Sequence, residues 1–317
     1  MINRIVFFNH YHVGDIFFGK AYLDKIIKQL PEIEFFYVHP YNQRLMHDLN
    51  INTDVGILGL NMKPIDDQRF IQREQFFFVN TWIGVYLDQV LPGELHGNYL
   101  SLRKMFSIIG QEISSRLGRS FEVVTDDQLE VIPTTNWNRY NTASVDQFCY
   151  EHQGKKLHLF CNGYVRADQC HLGPMKNILE TLVEMLPNDI FICTERFMTN
   201  SPRIYFTDDI THTQADVNEI AYLSTHCQTI VGKNSGPYMY CHVKDNFSNP
   251  NTVFVSCSHR STDSYPAHLT GFNCHYLHST TDNSEIATYN IYRGICIQDN
   301  TDLLQRSQGQ LYQFGDL

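Results

Sequence analysis

The chain has 317 residues, of which 43% are hydrophobic and 18% charged, with a formal net charge of -10. That length suits two domains of ordinary size, and the composition excludes a disordered or fibrous protein. The acidic excess is shared by both halves and leaves no basic stripe to neutralise a phosphate backbone, so no nucleic-acid partner is expected.

Ile5-Val6-Phe7-Phe8 reads as a buried strand. The apolar centre of Met1 to His10 is too short for a signal peptide, and no run elsewhere reaches bilayer-spanning length, so no transmembrane segment and a cytoplasmic location are expected. From His10 to Asp15 the chain enters a helix whose apolar positions Phe17, Ala21, Tyr22, Ile26, Ile27 and Leu30 recur at three and four residues, until Pro31 stops it. Phe35 to Val38 then completes a strand-helix-strand unit of the kind that builds parallel sheets. Further strands are expected at Phe76 to Val79 and Phe121 to Val124, and a long helix from Tyr99 to Leu117.

A polar, turn-rich stretch from Thr134 to Asn141 follows Pro133, and the domain boundary is expected near residue 150. The alternation then restarts with a strand at Leu157 to Cys161, a helix at Met175 to Leu186 and a strand at Asp189 to Cys193. Next come a strand at Arg203 to Phe206, a helix at Asp216 to Thr225 and a strand at Thr229 to Val231, with Thr213-x-x-Asp216 resembling a capping box. Strands are expected at Val253 to Ser256 and Ile295 to Ile297, and a helix from Asp302. All nine cysteines lie between Cys149 and Cys296 with no Cys-x-x-Cys pair, and read as reduced, mostly buried thiols.

A pattern that breaks and restarts at midchain predicts an α/β protein of two Rossmann-like doubly wound domains facing a cleft, residues 1–150 and 151–317. Ligands of such sheets bind beyond the carboxyl ends of strands. Two glycine-bearing turns are expected there, Val13-Gly14-Asp15 and Asn234-Ser235-Gly236-Pro237. In the second, Ser suits a helix cap, Gly permits close approach and Pro gives up an amide without a partner, so the exposed amides suit a diphosphate. Asp15 is placed to accept the proton of an attacking hydroxyl, although Gly-Asp is also a common turn pair.

Gly14-Asp15, a helix ending in Leu30-Pro31 before a strand, and the late turn Val231 to Pro237 together resemble the heptosyltransferases of the GT-B superfamily, over about residues 4–40 and 216–242. The resemblance implies a metal-independent inverting glycosyltransferase with Asp15 as general base and Ser235 and Gly236 at the donor diphosphate. The family's acidic and histidine positions in the late turn are here Asn234 and Met239. Val165-Arg166-x-Asp168 also resembles the arginine motif of GDP-fucose-dependent fucosyltransferases, which share the GT-B plan.

The donor side is thus expected to comprise Asn162, Gly163, Arg166, Glu219, Lys233, Asn234, Ser235 and Gly236. Arg166 and Lys233 would offset diphosphate charge, and Glu219 would accept ribose hydroxyls. The acceptor side is expected to comprise His10, His12 and Trp82, with Tyr11, Tyr238 and Tyr240 as further stacking aromatics. His10-Tyr11-His12 with Asp15 could instead hold a metal, as in hydrolase barrels, but those need eight strand-helix units that are not found here. The expected partners are an ADP-, GDP- or UDP-linked sugar and a glycan or glycolipid acceptor, with no further cofactor. A nucleotide-sugar epimerase or hydrolase, or a non-catalytic sugar-binding protein, are the other readings.

Overall fold

A computed structural model describes residues 2–11, 13–41, 44–53, 67–89, 99–125, 127–163, 165, 170, 172–213, 216–260 and 264–315. Two compact units divide the chain, 1–133 and 134–317. No helix among the described residues is long and apolar enough to cross a membrane.

In the first unit, β1 (Arg4–Phe8), α1 (Val13–Gln29) and β2 (Glu34–Val38) form the expected strand-helix-strand unit. A hairpin of β3 (Phe70–Arg73) and β4 (Phe76–Asn80) follows, and β4 lies parallel to β1, giving the order β2-β1-β4-β3. Both faces of β1 and β2 are covered, so these strands are continuous apolar runs without alternation. Val6, Phe8, Phe36, Val38 and Phe78 share one cluster. The long helix α2 (Tyr99–Leu117) packs on α1, where the Tyr22 and Phe106 rings stack 4.4 Å apart. On α1, Lys20 is buried against Asp48 at 2.5 Å, and this pair pins the segment carrying Asp48 to the helix.

Phe121 to Val124 is not a strand. Val123 packs against Gly110 of α2, and the Gln29 side chain accepts from the Glu122 amide at 3.3 Å and donates to its carbonyl at 2.7 Å. Those bonds satisfy the backbone groups that a sheet neighbour would have used.

The second unit begins earlier than residue 150. Its first helix, α3 (Ala143–Glu151), bonds through Asp146 to the Tyr222 hydroxyl at 2.8 Å and packs Phe148 edge-on against Tyr205. There follow β5 (Leu157–Cys161), α4 (Lys176–Met185), β6 (Ile190–Cys193), β7 (Ile204–Phe206), α5 (Thr207–Ile210), α6 (Val217–Ser224), β8 (Thr229–Lys233) and α7 (Gly236–Tyr240). The chain closes with α8 (Lys244–Ser248), β9 (Val253–Cys257), β10 (His275–Ser279), α9 (Ser284–Ile295), α10 (Thr301–Ser307) and β11 (Leu311–Gln313). All neighbouring pairs are parallel, in the order β11-β10-β9-β8-β5-β6-β7.

Helices α4 and α9 bury Ile178, Leu182, Ala287 and Ile291 against Phe160, Val231 and Val255 of the sheet. Ile295 ends α9 and Ile297 opens a 3-10 turn, so the strand expected at Ile295 to Ile297 is absent; its apolar residues serve a helix end. Asp216 itself caps α6, accepting from the Asn218 amide at 2.8 Å, which replaces the capping box expected from Thr213. The nine cysteines are free thiols, six of them buried.

Tyr238 of α7 folds its ring back over β8. A β-carbon at Gly232 would come within 2.2 Å of that ring, while the Tyr238 hydroxyl lies 3.2 Å from that of Tyr276 and His242 Nε2 lies 2.9 Å from the same Tyr276 oxygen. Gly232→Ala should therefore destabilise the protein by about 1–3 kcal/mol through overpacking, read as a lower urea midpoint at unchanged slope.

Burial holds His242 and His278 down to a pKa of about 4, and His39 likewise, with His47 and His10 adding to the effect at His39. A histidine kept neutral by folding binds its proton more readily when unfolded. Its contribution is whole above the ordinary pKa near 6.5 and is lost as pH falls from there toward about 4. The melting temperature should stay level above pH 7 and fall progressively between pH 6.5 and 4.

Candidate functional site

Where the winding of a parallel sheet reverses, loops leaving two adjacent strands diverge and open a crevice at their carboxyl ends. In the second unit the chain runs outward from β5 through β6 to β7 and then returns to β8 on the other side of β5. In the first unit the corresponding place lies between β1 and β4.

At the second unit's crevice, Asn162 follows β5 and is clamped to the start of the loop after β6. Its Nδ2 donates to the Glu195 carbonyl at 2.9 Å and its Oδ1 accepts from the Glu195 amide at 2.8 Å. Gly163 leaves room for the Glu195 carboxylate, whose Oε1 would lie 2.8 Å from a β-carbon there. Glu195 escaped the sequence reading. Its signal is position: an acidic residue after the second strand of a doubly wound unit is where a ribose hydroxyl is held.

Across the crevice, Lys233 ends β8 and is only 8% exposed. Its ammonium donates to the Gly173 carbonyl at 2.9 Å, and no carboxylate among the described residues pairs with it. Asn234 and Ser235 are equally buried, and Gly236 opens α7. Ser235 occupies the cap position with its side chain making no cap bond; its Oγ is buried without a hydrogen-bond partner. Since α7 has only five residues, the dipole expected to hold an anion is short; the Ser235 amide already donates to the Lys233 carbonyl, and the Gly236 amide, Ser235 Oγ and Lys233 are the groups on offer.

Glu219 is committed elsewhere. It is 2% exposed, and its two oxygens accept from the His212 and Thr213 amides, fastening the loop before α6. Arg166 lies outside the described residues.

At the first unit's crevice, Asp15 sits in the first turn of α1, so the expected Gly14-Asp15 turn is already helix. An acidic residue there also complements the helix dipole. Asp15 lies close enough to Tyr37 for its charge to add to the burial that raises the Tyr37 hydroxyl's pKa. That hydroxyl meets Thr81 Oγ1 at 2.8 Å, and Thr81 in turn donates to the Phe8 carbonyl at 3.1 Å, joining β2, β4 and β1. Trp82, which follows β4, stacks on Tyr11, which follows β1, with centroids 3.8 Å apart. His10 is half-buried beside them, and His12 lies outside the described residues. Among the described residues no three His, Cys, Asp or Glu side chains converge to hold a metal. Asp15, His10 and Trp82 thus gather at one sheet edge, and Asn162, Gly163, Lys233, Asn234, Ser235 and Gly236 at another.

No family model matches the sequence, and no curated protein does. Among solved structures, the ADP-heptose lipopolysaccharide heptosyltransferase II of E. coli aligns with a TM-score of 0.55 at 13% identity, over 93% of this chain and 99% of that one. A glycosyl transferase family 9 protein from Veillonella parvula aligns with a TM-score of 0.49 at 14% identity, over 96% of this chain and 98% of that one. At such identity the likeness to the E. coli enzyme is one of architecture: this chain has the α/β fold of the GT-B proteins.

Proposed function

We propose that the protein is a glycosyltransferase, moving a sugar from a nucleotide-diphosphate donor to a hydroxyl of a glycan or glycolipid acceptor with inversion and without a metal ion. The observation that carries this reading is Lys233, a nine-tenths buried residue at a switch point whose ammonium bonds, among the described residues, to a carbonyl alone, beside the unpartnered Ser235 hydroxyl. A lysine held at a strand end with a carbonyl as its described partner has bonding capacity left for an anion, and a charge-assisted bond to a ligand would use it. A diphosphate fits both groups. The resemblance in Gly14-Asp15 and in the late turn, and the shared fold, point the same way.

In this reading Lys233, Ser235 Oγ and the Gly236 amide hold the diphosphate, with Arg166 as a further cation, while the Ser235 amide stays bonded to the Lys233 carbonyl and fixes the turn. Glu195 takes the ribose-binding role in place of Glu219. The acceptor oxygen attacks the anomeric carbon as the bond to the diphosphate breaks, its electron pair leaving with the nucleotide, and the acceptor proton passes to Asp15. Attack opposite the leaving group inverts the anomeric centre. The protein contributes positioning and charge stabilisation.

Melting curves with ADP, GDP and UDP, on wild type and Asp15→Asn, test the reading. At 100 times its Kd, a diphosphate that binds only the folded chain adds about 2.7 kcal/mol, visible as a rise of several degrees. Asp15→Asn should keep that rise while transfer from the cognate donor falls about 10²- to 10⁴-fold. A protein that no nucleoside diphosphate stabilises, or an Asp15→Asn variant that transfers at the wild-type rate, contradicts it.

A further inference from the structure

We propose that the stacked pair Tyr11 and Trp82 is a platform for the flat face of a neutral pyranose; that this sugar is the acceptor rests on the transferase reading above. The two rings come from different strands, one after β1 and one after β4, and meet over the crevice of the first unit.

Matched turns hold them. Asn9 Oδ1 accepts from the Tyr11 amide at 2.9 Å, and Asn80 Oδ1 accepts from the Trp82 amide at 3.0 Å. Both asparagines are fully buried, at 0% and 1% exposure, so each aromatic leaves its strand on a fixed pivot. The Tyr41 hydroxyl donates to the Tyr11 carbonyl at 2.6 Å and ties the same turn to the segment after β2. On its other side the indole lies against Gly84, where a β-carbon would come within 2.3 Å of Trp82. Trp82 is thus gripped between Gly84 and Tyr11.

Tyr11 is exposed where its neighbours are not, and Trp82 backs it half-buried. Tyr11 is 38% accessible, while Tyr22, Tyr37, Tyr86, Tyr99 and Phe106 of the same unit are at most 1%. An exposed Tyr11 ring, backed rigidly by Trp82 at a sheet's switch point, matches the C–H face of a sugar, which gives up little hydration on docking, while its hydroxyls remain at the edges for polar groups. Asp15 stands in the same crevice to take a proton from one of them.

Charge selects the neutral sugar. Recognition of a phosphate or carboxylate on the acceptor calls for arginine or lysine. Neither occurs from Asn9 to Asp15 or from Asn80 to Tyr86, and Arg69, which lies against the second stretch, is committed to the Val85 carbonyl and to Asp88, whereas the first stretch carries the Asp15 carboxylate.

Trp82 is itself the reporter, because the chain has two tryptophans and Trp137→Phe leaves it alone. In that background, Trp82 emission is followed while methyl glucosides, galactosides and mannosides are titrated, with glucose 6-phosphate as the charged counterpart. At least one neutral glycoside should give a saturable change. Tyr11→Phe should preserve it, and Tyr11→Ala and Tyr11→Leu should weaken binding about three- to tenfold at unchanged melting temperature. Tyr11→Leu keeps the bulk and removes only the ring, so it stands in if the alanine variant does not fold. The platform is overturned if no glycoside alters the emission, if Tyr11→Leu binds as the parent does, or if the 6-phosphate binds more tightly than the neutral sugars. Melting curves with ADP, GDP and UDP on the same samples separate the two readings. A nucleotide shift without glycoside binding removes the platform alone, and glycoside binding without a nucleotide shift upholds it while removing the transferase.

Discussion

A lysine ammonium invites a negative charge, and at the end of β8 the described residues give Lys233, largely buried, a carbonyl as its partner. This imbalance is local and is built from sequence order. Lys233 is the last residue of a strand buried throughout its length, so its side chain cannot swing clear of the protein. The next residues are a buried asparagine, a serine whose hydroxyl is left unbonded and a glycine. A short helix then turns away under the anchor of Tyr238. Each of these is a small cost to the unliganded chain, and one anion relieves them together.

Topology decides where that cost falls. In a sheet wound in a single direction every loop would cross to the same side, and the ends of β5 and β8 would be roofed over. Reversal between them keeps the place open, and the Asn162 clamp keeps the first turn from drifting into it. The first unit repeats the device with different chemistry. Its reversal between β1 and β4 carries a carboxylate, a hydroxyl relay through Tyr37 and Thr81, and two stacked rings, in place of a cation. One crevice thus offers an ammonium and a hydroxyl, and the other a carboxylate beside two stacked rings.

Much of this architecture is legible in the residues because doubly covered parallel strands are unbroken apolar runs, as in Ile5 to Phe8 and Thr229 to Val231. Strands that hide polar groups are not legible in that way. His275 and His278 of β10 are buried only because Ser307 and Ser264 meet them from distant segments, at 2.8 and 3.0 Å. Phe121 to Val124 has a strand's composition, yet the amide and carbonyl of Glu122 within it are taken by the Gln29 side chain. At the proposed site, Lys233 to Gly236 stand out in the sequence because a glycine turn after a buried strand is a local pattern. Glu195 could not, since its meaning arises only when β6 is known to lie beside β5. Glu219 looked available because an isolated helix gives no hint that the amides of His212 and Thr213 will claim both oxygens.

The most direct test is Lys233→Met, which keeps the length of the side chain and removes its charge. Without ligand the variant should melt no lower than the wild type, because among the described residues the ammonium's bond is to the Gly173 carbonyl and to no carboxylate. Its affinity for the stabilising nucleoside diphosphate should fall at least about tenfold, since a charge-assisted hydrogen bond is lost. A variant that melts lower than the wild type and binds the diphosphate equally well would show that Lys233 serves only the fold, and the account would fail.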